Sequence, residues 1–222
     1  MAKNKLRKFQ QINSYSHVFE PTIEVLNSEY QYKGKWKSQV FKNNNPIILE
    51  LGCGKGEYSV ALAAKYPQKN LIGVDIKGAR IWKGATDSLT KKLTNIAFLR
   101  VRIEWIEHCF DKNEIDEIWI TFPDPQLKFR RSSKRLTHPN FLKKYKKILK
   151  KNGVVHLKTD SQFLHAYTLG ILDGQSHCIE YSSNDIYNSE HSHEHLEIKT
   201  YYEQKYLEKG MPITYIKFRL NY

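Results

Sequence analysis

Apolar residues fall along this chain in short runs separated by stretches of helical period. The run IILEL (47–51) is apolar but for one acid, and LIGVDI (71–76), IAFLRV (96–101), EIWITF (117–122) and VVHLKT (154–159) are of the same kind. Runs this short and this apolar suit strands covered on both faces. Between them lie helical patterns. GEYSVALAAKYP is stopped by Pro67, and KGARIWKGATDSLTKKL carries Ile81, Trp82, Ala85, Leu89 and Leu93 on one face. PNFLKKYKKILKKNG has Pro139 at a first helical position, Gly153 past its end, and an apolar face of Phe141, Leu142, Tyr145, Ile148 and Leu149. SQFLHAYTLGIL follows, then a strand near 178–182, a short helix in YYEQKYLEK and a last strand in ITYIKFRL (213–220). The alternation predicts an α/β fold: a mostly parallel seven-stranded sheet with one antiparallel edge strand and helices on both faces.

Residues 1–45 lack such periodicity. They are rich in Lys, Asn and Gln and close on the breaker FKNNNP, which reads as an N-terminal basic, polar arm ahead of one domain at 46–222. The 222 residues suffice for a single core. Charge adds a partner. Lys and Arg number 36 against 23 Asp and Glu, a net charge of +13, which points to a polyanion. Cys53, Cys109 and Cys178 are far apart and form no C-x-x-C, so neither a disulfide framework nor a zinc site is expected, in keeping with a reducing cytoplasm. No run of about 18 apolar residues exists, and MAKNKLRKFQQ has no apolar core behind its basic residues, so neither a membrane span nor a secretory signal is expected.

The chemistry gathers at the carboxyl ends of the expected strands, where ligands sit in open parallel sheets. Gly52, Gly54 and Gly56 follow the first strand and open a helix. In a dinucleotide loop, G-x-G-x-x-G, the third glycine comes one residue later and no acid precedes the first. Here Glu50 stands before Gly52, where it would repel a pyrophosphate and suit a cationic ligand. Asp75 ends the second strand, placed to accept both hydroxyls of a ribose. Together these favour S-adenosylmethionine over NAD. After strand four, FPDPQLKFRRSSKRL (122–136) fixes Asp124 between two prolines and then presents Lys128, Arg130, Arg131, Lys134 and Arg135, read as phosphate contacts.

The combination of LELGCGKGEY, FPDPQLKFRRSSKRLTHPNFL, HLKTD and TYYE resembles the bacterial tRNA (guanine-N7-)-methyltransferase family, and the resemblance runs from about residue 45 nearly to the end. It implies a Rossmann-like class I methyltransferase that moves a methyl group from S-adenosyl-L-methionine to N7 of a guanosine in the tRNA variable loop. By position, the family's cofactor-binding residues match Glu50, Gly52, Gly54, Asp75 and Asp124, with Asp124 also catalytic, and its tRNA-binding residues match Lys128, Asp160, Thr200, Tyr201, Tyr202 and Glu203. The chain departs from the family at two places. Gln126 and Leu127 stand where Trp-Pro is usual, and the acid often found after strand three aligns with Arg102, with Glu104 two residues on; both are carried as cofactor candidates.

N7 of guanine has a free lone pair, so the expected acids are acceptors for N1–H and the 2-amino group rather than bases. Asp160 also reads as a helix N-cap, and T-x-x-E at Thr200 and Glu203 as a capping box. HSHEH (191–195) is read as a loop without metal. Two alternatives stand beside this reading: a methyltransferase of another RNA or of protein, and a catalytically silent RNA-binding module of the same fold.

Overall fold

The computed structural model describes residues 2–189 and 197–222; the HSHEH segment lies outside them. Its strands are β1 (Val18–Phe19), β2 (Ile47–Leu51), β3 (Asn70–Asp75), β4 (Ile96–Arg100), β5 (Ile115–Thr121), β6 (Leu149–Thr159), β7 (Cys178–Ser183) and β8 (Thr214–Arg219). Its helices are α1 (Ala2–Asn13), α2 (Ile23–Asn27), α3 (Glu57–Lys65), α4 (Gly78–Thr90), α5 (Ile106–Cys109), α6 (Pro139–Ile148), α7 (Gln162–Gly174) and α8 (Tyr201–Leu207).

One sheet runs β1-β4-β3-β2-β5-β6-β8-β7. The chain builds outward from β2 through β3 to β4, then returns to lay β5 along the other side of β2. That reversal opens a crevice at the carboxyl ends of β2 and β5, the place where such sheets hold ligands. Alternation along β2 divides the core. Ile47, Leu49 and Leu51 face the side covered by α5, α6 and α7, while Ile48 faces α3 and α4. Glu50 shares the face of Ile48, which directs it at the start of α3.

Three expectations are corrected. The sheet has eight strands among the described residues, because β1, two residues from the N-terminal segment, pairs with β4 in parallel. The antiparallel strand, β8, is not an edge: it lies between β6 and β7 and runs opposite to both. Helix α6 stops at Ile148, and Leu149 opens β6 opposite Ile115 instead of lying on the helix's apolar face.

The segment before Pro46 is not a loosely packed arm. Trp36 is fully buried, its indole N–H donates to Cys109 O at 3.0 Å, and Phe19, Tyr32 and Phe110 surround it. The Glu114 carboxylate accepts from the amides of Gly34 and Trp36. Helix α1 lies on α4, with Trp82 Nε1 donating to Gln11 Oε1 at 2.7 Å. The aromatic anchors follow no helical or strand period, so no pattern betrays them.

Candidate active site

The turn from β2 into α3 places three glycines at positive φ: Gly52 (+79°), Gly54 (+56°) and Gly56 (+69°). They serve two purposes. The nearest described atom to a Cβ built on Gly52 is Leu136 Cδ1 at 4.0 Å, so the backbone there borders open cleft. A Cβ on Gly56 would meet Phe98 Cε1 at 2.7 Å and Gly84 Cα at 3.1 Å. The third glycine therefore seats α3 against β4 and α4, and only the first two clear room for a ligand.

Asp75 organises this turn. Its Oδ2 accepts from Gly54 N at 2.9 Å and its Oδ1 from Lys77 N at 2.7 Å. Each oxygen keeps a further lone pair for a hydroxyl donor.

Glu50 is buried across the crevice. Its Oε2 accepts from Ser59 N at 2.9 Å and Ser59 Oγ at 2.5 Å, and its Oε1 from Thr121 Oγ1 at 2.5 Å. Ser59 N is one of the free amides in the first turn of α3, so the acid caps that helix while bridging β2 to β5. Burial pushes the Glu50 carboxyl up to about 7, the three hydrogen bonds opposing and Asp75 adding to the rise.

The opposite wall comes from the turn after β5. Phe122 sits at φ +46° with its amide donating to Lys158 O at 2.8 Å, and Gln126 at φ +48° with its amide donating to Asp124 Oδ1 at 3.0 Å. Two non-glycine residues in the left-handed region are local strain of the kind found at ligand sites. Between the walls lies a cleft of about 410 Å³ bordered by Gly52, Asp75, Arg102, Glu104, Asp124 and Gln126. The exposed Asp124 carboxylate stands at its mouth. Gln126 Oε1 is buried there with no hydrogen-bond partner among the described residues. A smaller lobe of about 120 Å³, which shares Gly52, Arg80 and Phe122, is lined by Glu50, Tyr58, Thr121, Thr200 and Tyr202.

A profile of the family described as "Putative methyltransferase" matches residues 44–216. A protein of Christiangramia forsetii named "tRNA (guanine-N(7)-)-methyltransferase" is 53% identical over 99% of this chain and 99% of its own. One of the same name from Bacteroides fragilis is 51% identical over 99% of this chain and 87% of its own. This chain belongs to the tRNA (guanine-N(7)-)-methyltransferase family.

Solved structures resemble this family member in fold. The 16S rRNA methyltransferase KamB superposes with a TM-score of 0.65 at 11% identity, over 86% of this chain and 96% of that one. A SAM-dependent methyltransferase from Aquifex aeolicus gives 0.55 at 11% identity, over 88% and 98%. The fold is the Rossmann-like α/β methyltransferase fold.

Not every site residue read from the sequence reaches the cleft of this methyltransferase. Thr200, at the edge of the smaller lobe, caps α8 in a full capping box with Glu203. Glu203 is entirely buried: its Oε1 lies 2.6 Å from Lys158 Nζ and accepts from Tyr187 Oη at 2.6 Å. It braces α8 instead of facing a guanine. Tyr201 and Tyr202 are exposed, and Lys55 Nζ lies 5.0 and 6.0 Å from their ring centres. Asp160 is half-buried at the end of β6, its carboxyl pushed up by burial, and it borders neither lobe. Ser161, not Asp160, is the N-cap of α7, accepting from Leu164 N at 3.2 Å. Lys128 is exposed at the head of a 3-10 turn over Phe129–Lys134.

Arg135, read as a phosphate contact, is 5% exposed. Its guanidinium donates to Gln126 O and packs 4.7 Å from the Phe163 ring centre and 4.4 Å from that of Tyr167. Sequence reasoning missed Ser59, Thr121 and Lys158. Lys158 lay in plain view in HLKTD, but a lysine in an apolar strand shows no partner until the fold supplies one. Among the described residues, no group of three or more His, Cys, Asp or Glu could hold a metal, and no helix is long and apolar enough to cross a membrane.

Proposed function

We propose that this protein is a tRNA (guanine-N7-)-methyltransferase that uses S-adenosyl-L-methionine and acts on a guanosine in the tRNA variable loop, in the cytoplasm. The observation that carries this is the placement of Glu50 and Asp75 in adjoining lobes of one cleft at the β2–β5 crevice, beside glycines whose missing side chains leave the cleft open. The residues fit the cofactor. Open space over Gly52 admits its chain, Asp75 retains acceptors for ribose hydroxyls, and buried Glu50 complements a cation. The orphaned Gln126 Oε1 offers an acceptor to an amino group. S-adenosylmethionine supplies an electrophilic methyl group on a positively charged sulfur.

The chain's own residues position and screen. N7 needs no deprotonation, so alignment and water exclusion are the chief tasks. Asp124, at the cleft mouth, accepts from guanine N–H donors and offsets the positive charge that develops on the ring. Asp160, half-buried directly after β6, contributes a second acceptor. Glu203 acts through Lys158 by holding α8, which carries Tyr202 to the smaller lobe. Lys128 and the exposed cations beside it hold phosphates.

The test is transfer of label from S-adenosylmethionine to bulk tRNA, followed by mapping of cleavage at 7-methylguanosine. Label at a single variable-loop guanosine is expected. Label in another RNA or in protein, or cofactor binding without transfer, would replace this reading.

A further inference from the structure

The loop between Asp124 and Leu136 leaves the cleft and returns to it. Asp124 and Gln126 border the cleft on the way out, and Lys134 and Leu136 on the way back. Its base is clasped by buried Arg135, which donates from Nε and Nη2 to Gln126 O at 3.3 and 3.1 Å. The crown is a 3-10 turn, with Arg131 N donating to Lys128 O at 2.9 Å and Arg135 N to Ser132 O at 3.1 Å. Tyr145 Oη ties the returning segment down at Leu136 O. A loop so fastened presents whatever it carries in a set place.

What it carries at the crown is Phe129, 91% exposed, the most exposed large apolar side chain among the described residues, with Leu127 beside it at 65%. Lone apolar residues on a surface are ordinary. This one is not alone. Lys128, Arg130, Arg131 and Lys134 surround it, and no acidic residue occurs between Gln126 and Arg135. An aromatic ring among cations is the composition that binds unstacked nucleic acid, the cations holding phosphates and the ring a base. The same cations, in a chain of net charge +13, oppose the approach of a second copy.

The chemistry at the cleft supplies the base. N7 lies on the major-groove edge of guanine, which in helical RNA is too deep and narrow for side chains. A guanosine that enters the cleft must leave its stack, and its departure bares the π-face of a neighbouring base. We propose that Phe129 stacks on the nucleobase adjoining the target guanosine, while Lys128, Arg130 and Arg131 hold the flanking phosphates. Phe129 is then a positioning residue, and this role rests on the tRNA reading above.

The experiment measures tRNA affinity for wild type, Phe129→Ala, Phe129→Leu and Phe129→Tyr over a range of salt, with S-adenosylhomocysteine affinity as the check on the folded cleft. Stacking releases no counterions, whereas phosphate contacts do. Phe129→Ala should weaken tRNA binding about 5- to 150-fold, the range for one base–aromatic stack, at every salt concentration and with an unchanged slope of log affinity against log salt. Phe129→Leu should behave like alanine, and Phe129→Tyr should keep most of the affinity. Cofactor affinity should hold in all three. Wild-type affinity in Phe129→Ala, or full rescue by leucine, overturns the stack. Wild-type protein that binds tRNA without methylating it overturns the functional reading alone, and the comparison of variants still decides the stack.

Discussion

Lys158 Nζ lies 2.6 Å from Glu203 Oε1, and neither side chain is reached by solvent. The pair joins β6 to α8, elements formed by distant parts of the chain. Lys158 also donates to Ile198 O at 3.1 Å, and Tyr187 Oη donates to the same glutamate oxygen. The segment leading to α8 is thereby gathered onto the sheet beside the cleft. Burial lowers the lysine's pKa, against the pull of Glu203.

Breaking that pair leaves one charge buried without its partner. Lys158→Met should cost about 3–5 kcal/mol of folding stability in denaturant titrations, and the double variant Lys158→Met/Glu203→Leu should recover much of it. A single variant as stable as wild type would show that the pair does not hold α8 down.

Glu50 sets a pH dependence. Its folded pKa, about 7, lies above the ordinary carboxylate value, so the folded protein holds a proton that the unfolded chain has released. Its contribution to stability is fully present below the unfolded pKa. About 3 kcal/mol is then lost as pH rises from near 4.5 to about 7, after which the curve is flat. A cationic ligand group favours the ionised acid, so S-adenosylhomocysteine, through its ammonium group, should bind about tenfold more weakly at pH 6 than at pH 8 and release a proton on binding. Glu50→Gln should abolish the proton release and weaken binding, while making the free protein more stable at pH 8. Calorimetry in buffers of different ionisation enthalpy checks the release; equal affinity at both pH values would count against the assignment.

The basic loop divides into two kinds of arginine. Neutralising exposed Arg130 and Arg131 should flatten the salt slope of tRNA binding by up to about one unit for each phosphate no longer neutralised, with stability unchanged. Arg135→Ala should instead cost about 1.5–3 kcal/mol of stability, because it removes charged hydrogen bonds and ring packing from a buried side chain. Salt titrations and unfolding curves on the same variants separate the two. A wild-type slope in the Arg130/Arg131 double variant would mean that these side chains are merely solvated.

The last pair of variants concerns Asp124 and Asp160, the two acids proposed as guanine acceptors. Asp160→Asn keeps the shape, and Ser161 rather than Asp160 caps α7, so fold and cofactor affinity should hold. Single-turnover methylation should fall about 10- to 1000-fold. Asp124→Asn should slow the reaction as well and also weaken cofactor binding, since Asp124 stands at the cleft mouth. Full activity in Asp160→Asn would remove that residue from the site.

By itself, the sequence determined the alternation of strands and helices, the crevice they make, and the residues at strand ends: Glu50, Asp75 and Asp124. These are local matters. A run such as IILEL states its own period, and an acid that ends a parallel strand is delivered to the ligand side whatever surrounds it. Tertiary structure alone decided what each charge meets. Glu203 reads as a tRNA contact through the family resemblance and Arg135 as a phosphate contact through its place in a basic run, yet Lys158 and the rings of Phe163 and Tyr167, brought from elsewhere in the chain, close over them. The third glycine of the loop likewise answers to Phe98 and Gly84, not to a ligand. Trp36 fills a core that its polar neighbours conceal. Burial belongs to the packed assembly of segments, so no window of sequence contains it.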